Sequence, residues 1–411
     1  MSTDRNFSAM LNDHLAYDLL KEEMIKRDYI LSRVEKDDEW IGGPLIVPFR
    51  GAGASSVSFG SLTASNDIGQ SVYVRGEITS QPEVWASLIF NERDLMEHGK
   101  VSEKNFLKIL PDEIDDLLNY MKMVVSLSWT NGSHFATATA NGDSSGNLTV
   151  DRPERFVVQQ KVQIDDSNSG PVSAYVNTIN METAVVNFVT TRAGSTAVDL
   201  SAFTTAQAAK VFFDNSQLNN LTALKSSLLS SANGGSSTLY GQLKTSFPYL
   251  QSINVSGASM TAVNVLDTVF DAYTTIKNRG KGNPNEIIMS YKHLGSVLKS
   301  LEVTKGPFNV TPGSTKVNPY GWMEVEITGV KGSLKLVAIQ EMDDDFMMFL
   351  DWRALKVHSN GFFKKRKGPD GSEYFTIRST TGYQYVVDIA FFGDLVLNRP
   401  SYCGILYSIS Y

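Results

Sequence analysis

Cysteine is almost missing from this chain of 411 residues: Cys403 stands alone, which excludes an intramolecular disulfide and any cysteine-based zinc site. Histidine is nearly as scarce. The five, His14, His98, His134, His293 and His358, never fall at the spacing of a helical metal site, and each reads as a surface or satisfied structural histidine. No apolar run approaches the ~20 residues needed to span a bilayer. The first residues also lack the basic start and apolar core of a signal peptide. The Asn-x-Ser/Thr triplets at Asn131, Asn147, Asn220 and Asn309 therefore read as chance, and a soluble protein made in a reducing cytoplasm is expected. Positive charge is short as well. With 37 basic against 44 acidic residues the net charge is −7, which excludes a generally basic nucleic-acid binder.

Catalytic signatures are equally scarce. Gly51–Gly53 has no following Gly-Lys-Ser/Thr and sits in a strand ribbon, so it is a flexible ribbon base rather than a phosphate loop. There is no Gly-x-Ser-x-Gly elbow. Cys403 lies in a C-terminal strand with no His partner nearby in sequence and reads as a buried structural thiol. Asp343-Asp344-Asp345 are consecutive and point different ways, which suits a calcium site poorly. The expectation is therefore no enzyme, no cofactor and no metal.

What is present is ordinary for a packed protein: 42% hydrophobic residues, enough length for two or three units, and a mixed pattern of helix and strand. The first forty residues carry ten acidic and six basic side chains. Within them Met10, Tyr17, Leu20, Met24, Leu31 and Val34 recur at helical steps, interrupted by Asp13 and Arg27. That apolar seam must be covered, either by its own domain or by a neighbouring subunit. Residues 41–92 read as a long two-stranded ribbon turning at 63–69, with Val72, Val74 and Trp85 on the alternating return segment 71–90. It has too few large apolar residues for a core of its own, and an isolated hairpin is marginal in water. It too is expected to lie on another surface.

A strong helix follows, with Pro111 in its first turn and Leu110, Ile114, Leu117, Leu118, Met121, Val124 and Val125 on one face. Residues 134–205 alternate as strands with a hairpin at 180–183. Helices are then expected at Leu218–Leu228, closed by Gly234-Gly235, and at Val263–Ile276, closed by Gly280. The buried strand 286–290 runs into a third helix with Leu294, Val297, Leu298 and Leu301. Strands are expected at 322–328, 333–340, 346–350, 373–379, 383–391 and 402–410, with Gly368-Pro369-Asp370-Gly371 as a turn. Lys364, Lys365, Arg366 and Lys367 form the one basic cluster, at the approach to that turn. It reads as a solvated face or as a contact to an acidic partner.

This order of parts resembles the tailed-phage major capsid protein with the Hong Kong 97 fold. The resemblance is strongest in Asn285-Glu286-Ile287-Ile288-Met289-Ser290-Tyr291-Lys292-His293-Leu294, in Met342-Asp343-Asp344-Asp345-Phe346, and in the C-terminal runs Arg378–Tyr385 and Gly393-Asp394-Leu395-Val396. It implies an α+β chain. Residues 1–44 would be an N-terminal helical arm, 45–95 an extended E-loop, 96–133 a spine helix of the P domain, 206–330 an A domain, and 331–411 the rest of the P domain. The β-rich segment 134–205 would be an insertion. It further implies self-assembly into pentamers and hexamers of an icosahedral head around double-stranded DNA bound without sequence specificity, in the virion after assembly in a host cytoplasm, with no membrane. Other partners implied are a separate scaffolding protein (the arm begins close to Met1, so no fused scaffold is expected), a portal and a decoration protein.

On this reading Met10, Tyr17, Leu20, Met24, Leu31, Val72, Val74 and Trp85 meet neighbouring copies. Lys364–Lys367 pair with acidic residues of neighbours such as Glu77, Glu83 or Asp343–Asp345. Some members weld their shells by Lys–Asn bonds from an E-loop lysine; this chain has no lysine between Lys36 and Lys100, so no such weld is expected. Two other readings stand beside this one: the shell of an encapsulin-type nanocompartment, and a β-rich glycan-binding protein or hydrolase using Trp85, Trp129, Trp322 and Trp352.

Overall fold

A computed structural model describes residues 22, 24–40, 42–52, 72–91, 103–132, 134–166, 170–192, 194–203, 209–216, 221–303, 313–318, 322–330, 332–365, 375–379 and 382–410. The chain is α+β and forms two compact units, one from residues 1–126 with 225–411, the other from 127–224.

The first unit begins with a short helix, α1 (Tyr29–Arg33), capped by Asp28, whose carboxylate accepts the Leu31 N–H. Strand β1 (Glu35–Asp37) follows. Next come β2 (Leu45–Ala52) and β3 (Val72–Ile78), which pair antiparallel as a separate two-stranded ribbon. The return segment expected as one alternating strand is in fact two. It breaks at 79–82, where Pro82 has no N–H to continue a ladder, and β4 (Glu83–Asn91) pairs elsewhere. The long helix α2 spans Glu103–Thr130. Pro111, expected in its first turn, lies in its interior, where the helix forgoes one backbone hydrogen bond. Ile114, Leu118, Met121 and Val125 are its buried stripe, at steps of four, three and four.

The second unit is a six-stranded antiparallel sheet of β5 (His134–Thr137), β6 (Asn147–Thr149), β7 (Lys161–Asp165), β8 (Val172–Asn180), β9 (Val185–Val189) and β10 (Lys210–Phe213), in the order β5-β10-β7-β8-β9-β6. An Ala138–Val150 bridge, with Thr139 N–H donating to Thr149 O and Asp151 N–H to Thr137 O, joins the β5 side to the β6 side. The sheet thereby closes on itself and shields its edges. Inside, Phe135 stacks on Phe213 at 4.3 Å and meets Phe156 at 4.8 Å. The β8–β9 hairpin turns where expected, with the Asn180 side chain accepting the Glu182 and Thr183 N–H groups.

The first unit resumes with α3 (Leu224–Leu228), shorter than the helix its leucines suggested, and the small pair β11 (Thr238–Leu239) and β12 (Gln242–Leu243). Strand β13 (Ile253–Ser256), helix α4 (Val265–Arg279), strand β14 (Glu286–Met289) and helix α5 (Tyr291–Val303) lead into β15 (Gly313–Asn318), β16 (Trp322–Val330), β17 (Gly332–Ile339) and β18 (Phe346–Leu350). These strands and β22 (Gly404–Tyr407) make one seven-stranded sheet, ordered β13-β22-β18-β14-β17-β16-β15. Val265, Val269, Ala272, Tyr273 and Ile276 of α4, with Leu294 and Val297 of α5, cover Ile287, Met289, Leu336, Met347 and Phe349. Each buried Val, Leu, Ile, Met or Phe among them contributes roughly 1.5–3 kcal/mol.

The remaining sheet is built on β21 (Gly382–Leu397), which pairs with β4, with β20 (Phe375–Ser379) and with β19 (Leu355–Lys365); β19 in turn pairs parallel with β1. No strand was expected over 355–365. Its alternation is broken at Ser359–Phe363, where the register shifts and Gly361 and Phe362 both have positive φ.

Candidate assembly surfaces

The segment entering α1 is tied to its own unit. The Arg27 guanidinium donates to Asp115 at 2.7 Å and Asn119 at 2.9 Å on α2. The Tyr29 hydroxyl donates to Glu286 at 2.8 Å, and its ring meets Trp352 edge-on at 6.0 Å. Trp40 donates from its backbone to Ser359 O. Met24 and Leu31, expected to meet a neighbouring copy, expose no surface at all. That expectation is corrected for these two: a residue with no accessible area lends nothing to a second chain. Met10, Tyr17 and Leu20 lie outside the described residues.

Beneath this segment is a buried charge group. Lys122 of α2 pairs with Glu341 at 2.7 Å, both largely buried. Asp28 is fully buried nearby, and desolvation, only partly offset by the Leu31 N–H and Lys122, pushes its pKa up to about 6. Burial likewise raises the Tyr29 hydroxyl, with the neighbouring Glu286 carboxylate adding to the effect.

The ribbon has two unlike faces. Val47 and Phe49 of β2 point inward onto Leu239, Leu250 and Val396, and the Phe49 ring stacks on Tyr240 at 5.7 Å and 9°. Gly76 of β3 opposes Val47, and a Cβ there would stand 2.5 Å from the Phe49 ring, so only glycine lets the ring lie across the strand. Glu77 N–H donates to Tyr240 O, and the Gln242 amide to Arg75 O. The base of the ribbon is thus held by the chain itself. Among the described residues its other face is left open: Ile46 is 51% exposed and Tyr73 70%. Val74 is half-buried, and Val72 lies in β3 opposite Ala52.

Strand β4 offers a second open surface. It pairs with β21 on one side and, among the described residues, with nothing on the other. Its outward residues include Trp85, 50% exposed, and Ile89, 46% exposed. Trp85 meets Phe392 edge-on at 5.9 Å and donates its indole N–H to Glu83. Lys364 places its ammonium 5.0 Å from the same Phe392 ring, so one member of the basic cluster borders the Trp85 patch. Lys365 ends β19, and Arg366 and Lys367 lie outside the described residues. Of the acidic partners suggested for that cluster, Asp345 is engaged within the chain by Lys225 at 2.6 Å and Glu77 lies 3.6 Å from Arg75.

The groups searched for chemistry are placed as follows. Cys403 is buried and its thiol is pushed up to about 12, since burial disfavours the thiolate. His293 is buried with Nε2 2.8 Å from Asp344 O, and burial lowers its pKa. His358 faces Asp37 at 3.4 Å. Among the described residues no three His, Cys, Asp or Glu side chains gather as a metal site would require, and no described helix is long and apolar enough to cross a membrane. Exposure of Ile46, Tyr73 and Ile89 was not anticipated; the alternation Ile46-Val47-Pro48-Phe49-Arg50 carried the signal, since its two faces differ in character.

No protein family matches the chain, and no curated protein does. Solved structures do. The capsid of the native GTA particle aligns with a TM-score of 0.48 and 10% identity, covering 92% of this chain and 89% of that one. The capsid asymmetric unit of cyanophage A-1(L) aligns at 0.46 and 12%, covering 92% and 91%. A virus-like particle from Pyrococcus furiosus aligns at 0.38 and 10%, covering 94% and 95%. All three are capsids or virus-like particles.

Proposed function

We propose that this protein is a non-enzymatic shell subunit, the major capsid protein of a tailed double-stranded DNA phage, assembling with copies of itself into pentamers and hexamers of an icosahedral head. One observation carries the self-assembly: large apolar side chains stand open to solvent on two extended elements, Ile46 and Tyr73 on the ribbon and Trp85 and Ile89 on the edge strand. An open strand edge bearing apolar side chains is a template for another chain, and contacts spread over several neighbours make each weak and the closed assembly strong. The phage assignment follows the sequence resemblance and its order of parts. A separate scaffolding protein, a portal and a decoration protein complete the reading, as do packaged DNA held without sequence specificity and assembly in the host cytoplasm.

The residues given the contact role are Val72, Val74 and Trp85, now joined by Ile46, Tyr73 and Ile89, with Met10, Tyr17 and Leu20 of the arm. Lys364–Lys367 would pair with acidic groups of a neighbour; exposed pairs contribute only about 0–1 kcal/mol each, but the repeat of the shell multiplies them. Replacing all four with serine is expected to lower the heat resistance of particles, and unchanged particles would refute that role. Negative-stain microscopy of the expressed protein tests the whole reading. Shells enclosing nucleic acid support it, shells enclosing protein cargo favour a nanocompartment, and small monodisperse particles reject it.

A further inference from the structure

A cleft of about 770 Å³ in the first unit gathers Arg50, Lys281, Arg353, Lys356 and Arg399 on its walls, in a chain whose net charge is −7. Its size is that of a small-molecule site. Two of these cations are neutralised within the chain. Arg353 forks onto Asp351 through Nε at 2.9 Å and Nη2 at 2.6 Å, and Lys356 reaches Glu35 and Asp37 at 3.3 and 3.2 Å. Arg50, Lys281 and Arg399 are different. Among the described residues none of the three is in an ion pair. Each instead lies over an aromatic ring: Arg50 5.7 Å and Lys281 3.4 Å from the centre of Tyr249, Arg399 5.3 Å from that of Tyr402.

Their convergence is built by the fold. Arg50 comes from β2, Arg399 follows β21, and Lys281 follows α4 with its backbone N–H bound to Ser401 O at 3.1 Å. The rings hold the two guanidinium groups by their faces, which leaves the N–H donors at their edges for a ligand, while Lys281 also donates one hydrogen bond to the Tyr249 hydroxyl and keeps its remaining donors. Three like charges drawn together without a carboxylate call for an anion carrying more than one charge. A lone carboxylate needs one guanidinium; phosphate oxygens spread in several directions can engage two guanidinium forks and an ammonium at once.

We infer that this cleft binds the phosphate groups of a polyanion, through Arg50, Lys281 and Arg399 with Tyr249 and Tyr402 as their supports. The inference concerns the free chain: Ile46 and Tyr73 of the ribbon also line this cleft, so a copy seated on that face would close it, and particle formation is scored separately by microscopy. The same chemistry has two sources, a free polyphosphate and a nucleic-acid backbone.

The test uses the purified full chain, titrated with sodium tripolyphosphate and with a short oligothymidylate. Three phosphate contacts predict that log K for the oligonucleotide falls against log salt with a slope of about −2 between roughly 50 and 200 mM. The triple variant Arg50→Ser, Lys281→Ser, Arg399→Ser is expected to weaken both ligands by at least about tenfold. The charge-keeping pair Arg50→Lys, Arg399→Lys retains the charge but loses both guanidinium forks, so it should bind more weakly than the parent and more tightly than the triple variant. A control in the other unit, Arg192→Ser with Lys210→Ser, should leave binding unchanged. Tighter binding of tripolyphosphate at equal phosphate concentration assigns a free polyphosphate, and tighter binding of the oligonucleotide assigns a nucleic-acid backbone. A folded triple variant that binds as the parent does overturns the inference. So does binding of hexaglutamate, but of neither phosphate ligand, which would make the cleft a dock for an acidic protein segment.

Discussion

Replacing Gly76 by alanine tests how the ribbon is anchored. The new Cβ would stand 2.5 Å from Phe49 Cε2, 3.2 Å from its Cδ2 and 3.1 Å from Tyr240 Cβ. Phe49 is 1% exposed and stacked on Tyr240, so its ring has nowhere to swing. Overpacking of this kind costs about 1–3 kcal/mol. In a chain with two compact units, a single global free energy is a poor readout. Native-state hydrogen exchange of the Leu45–Ala52 and Val72–Ile78 amides reports the ribbon alone, and their protection should fall by about 5- to 150-fold. Phe49→Ala by itself should cost about 3–5 kcal/mol through the cavity it leaves. In that background the added methyl enters vacated space, so Gly76→Ala should lose most of its penalty, a coupling of about 1–3 kcal/mol. Unchanged exchange in Gly76→Ala, or the same penalty with Phe49 removed, would refute the packing argument.

Further outcomes concern the buried charges. Asp28 holds its proton up to about pH 6 in the folded chain but only to 3.8 when unfolded, so stability should rise by about 3 kcal/mol as pH falls through that window; Asp28→Asn, followed by urea unfolding at several pH values, should remove that rise. His293 acts with the opposite sign: burial lowers its pKa from 6.5, so the folded chain refuses a proton that the unfolded chain takes, and stability is lost as pH falls below about 6.5. His293→Gln should abolish that loss in the same titration. Removing one partner of the Lys122–Glu341 pair, as in Lys122→Ala, should cost about 3–5 kcal/mol, whereas Lys122→Met with Glu341→Leu should be far milder in the same unfolding assay. On denaturing gels, assembled material should run as the single chain, because no lysine lies between Lys36 and Lys100 to form a covalent bond from the ribbon.

Elements whose burial is periodic were legible from the sequence. Helix α4 was written in Leu266, Phe270, Tyr273 and Ile276, β14 in an unbroken apolar run, and the β8–β9 turn in Asn180, because each obeys one local rule. Where tertiary context overrides the local rule, sequence reading failed. Pro111 signals a helix start, yet α2 carries it inside a 28-residue helix. Strand β19 was hidden by the polar Ser359-Asn360-Gly361 bulge. The apolar seam of the first forty residues could not by itself say whose surface covers it; the packing of Met24, Leu31 and Tyr29 answers for the part from Met24 onward. The basic cleft left no trace in the sequence, because Arg50, Lys281 and Arg399 come from three remote segments and share no motif.

The central claim is that the open faces of the ribbon and of β4 are covered by identical copies. Mass photometry of the purified chain across a concentration series, beside the folded variant Tyr73→Ser, Trp85→Ser, Ile89→Ser, tests it most directly. The account predicts that the parent grows into large closed assemblies while the variant stays monomeric. A parent that remains a monomer at every concentration, or a variant that assembles just as well, would contradict it.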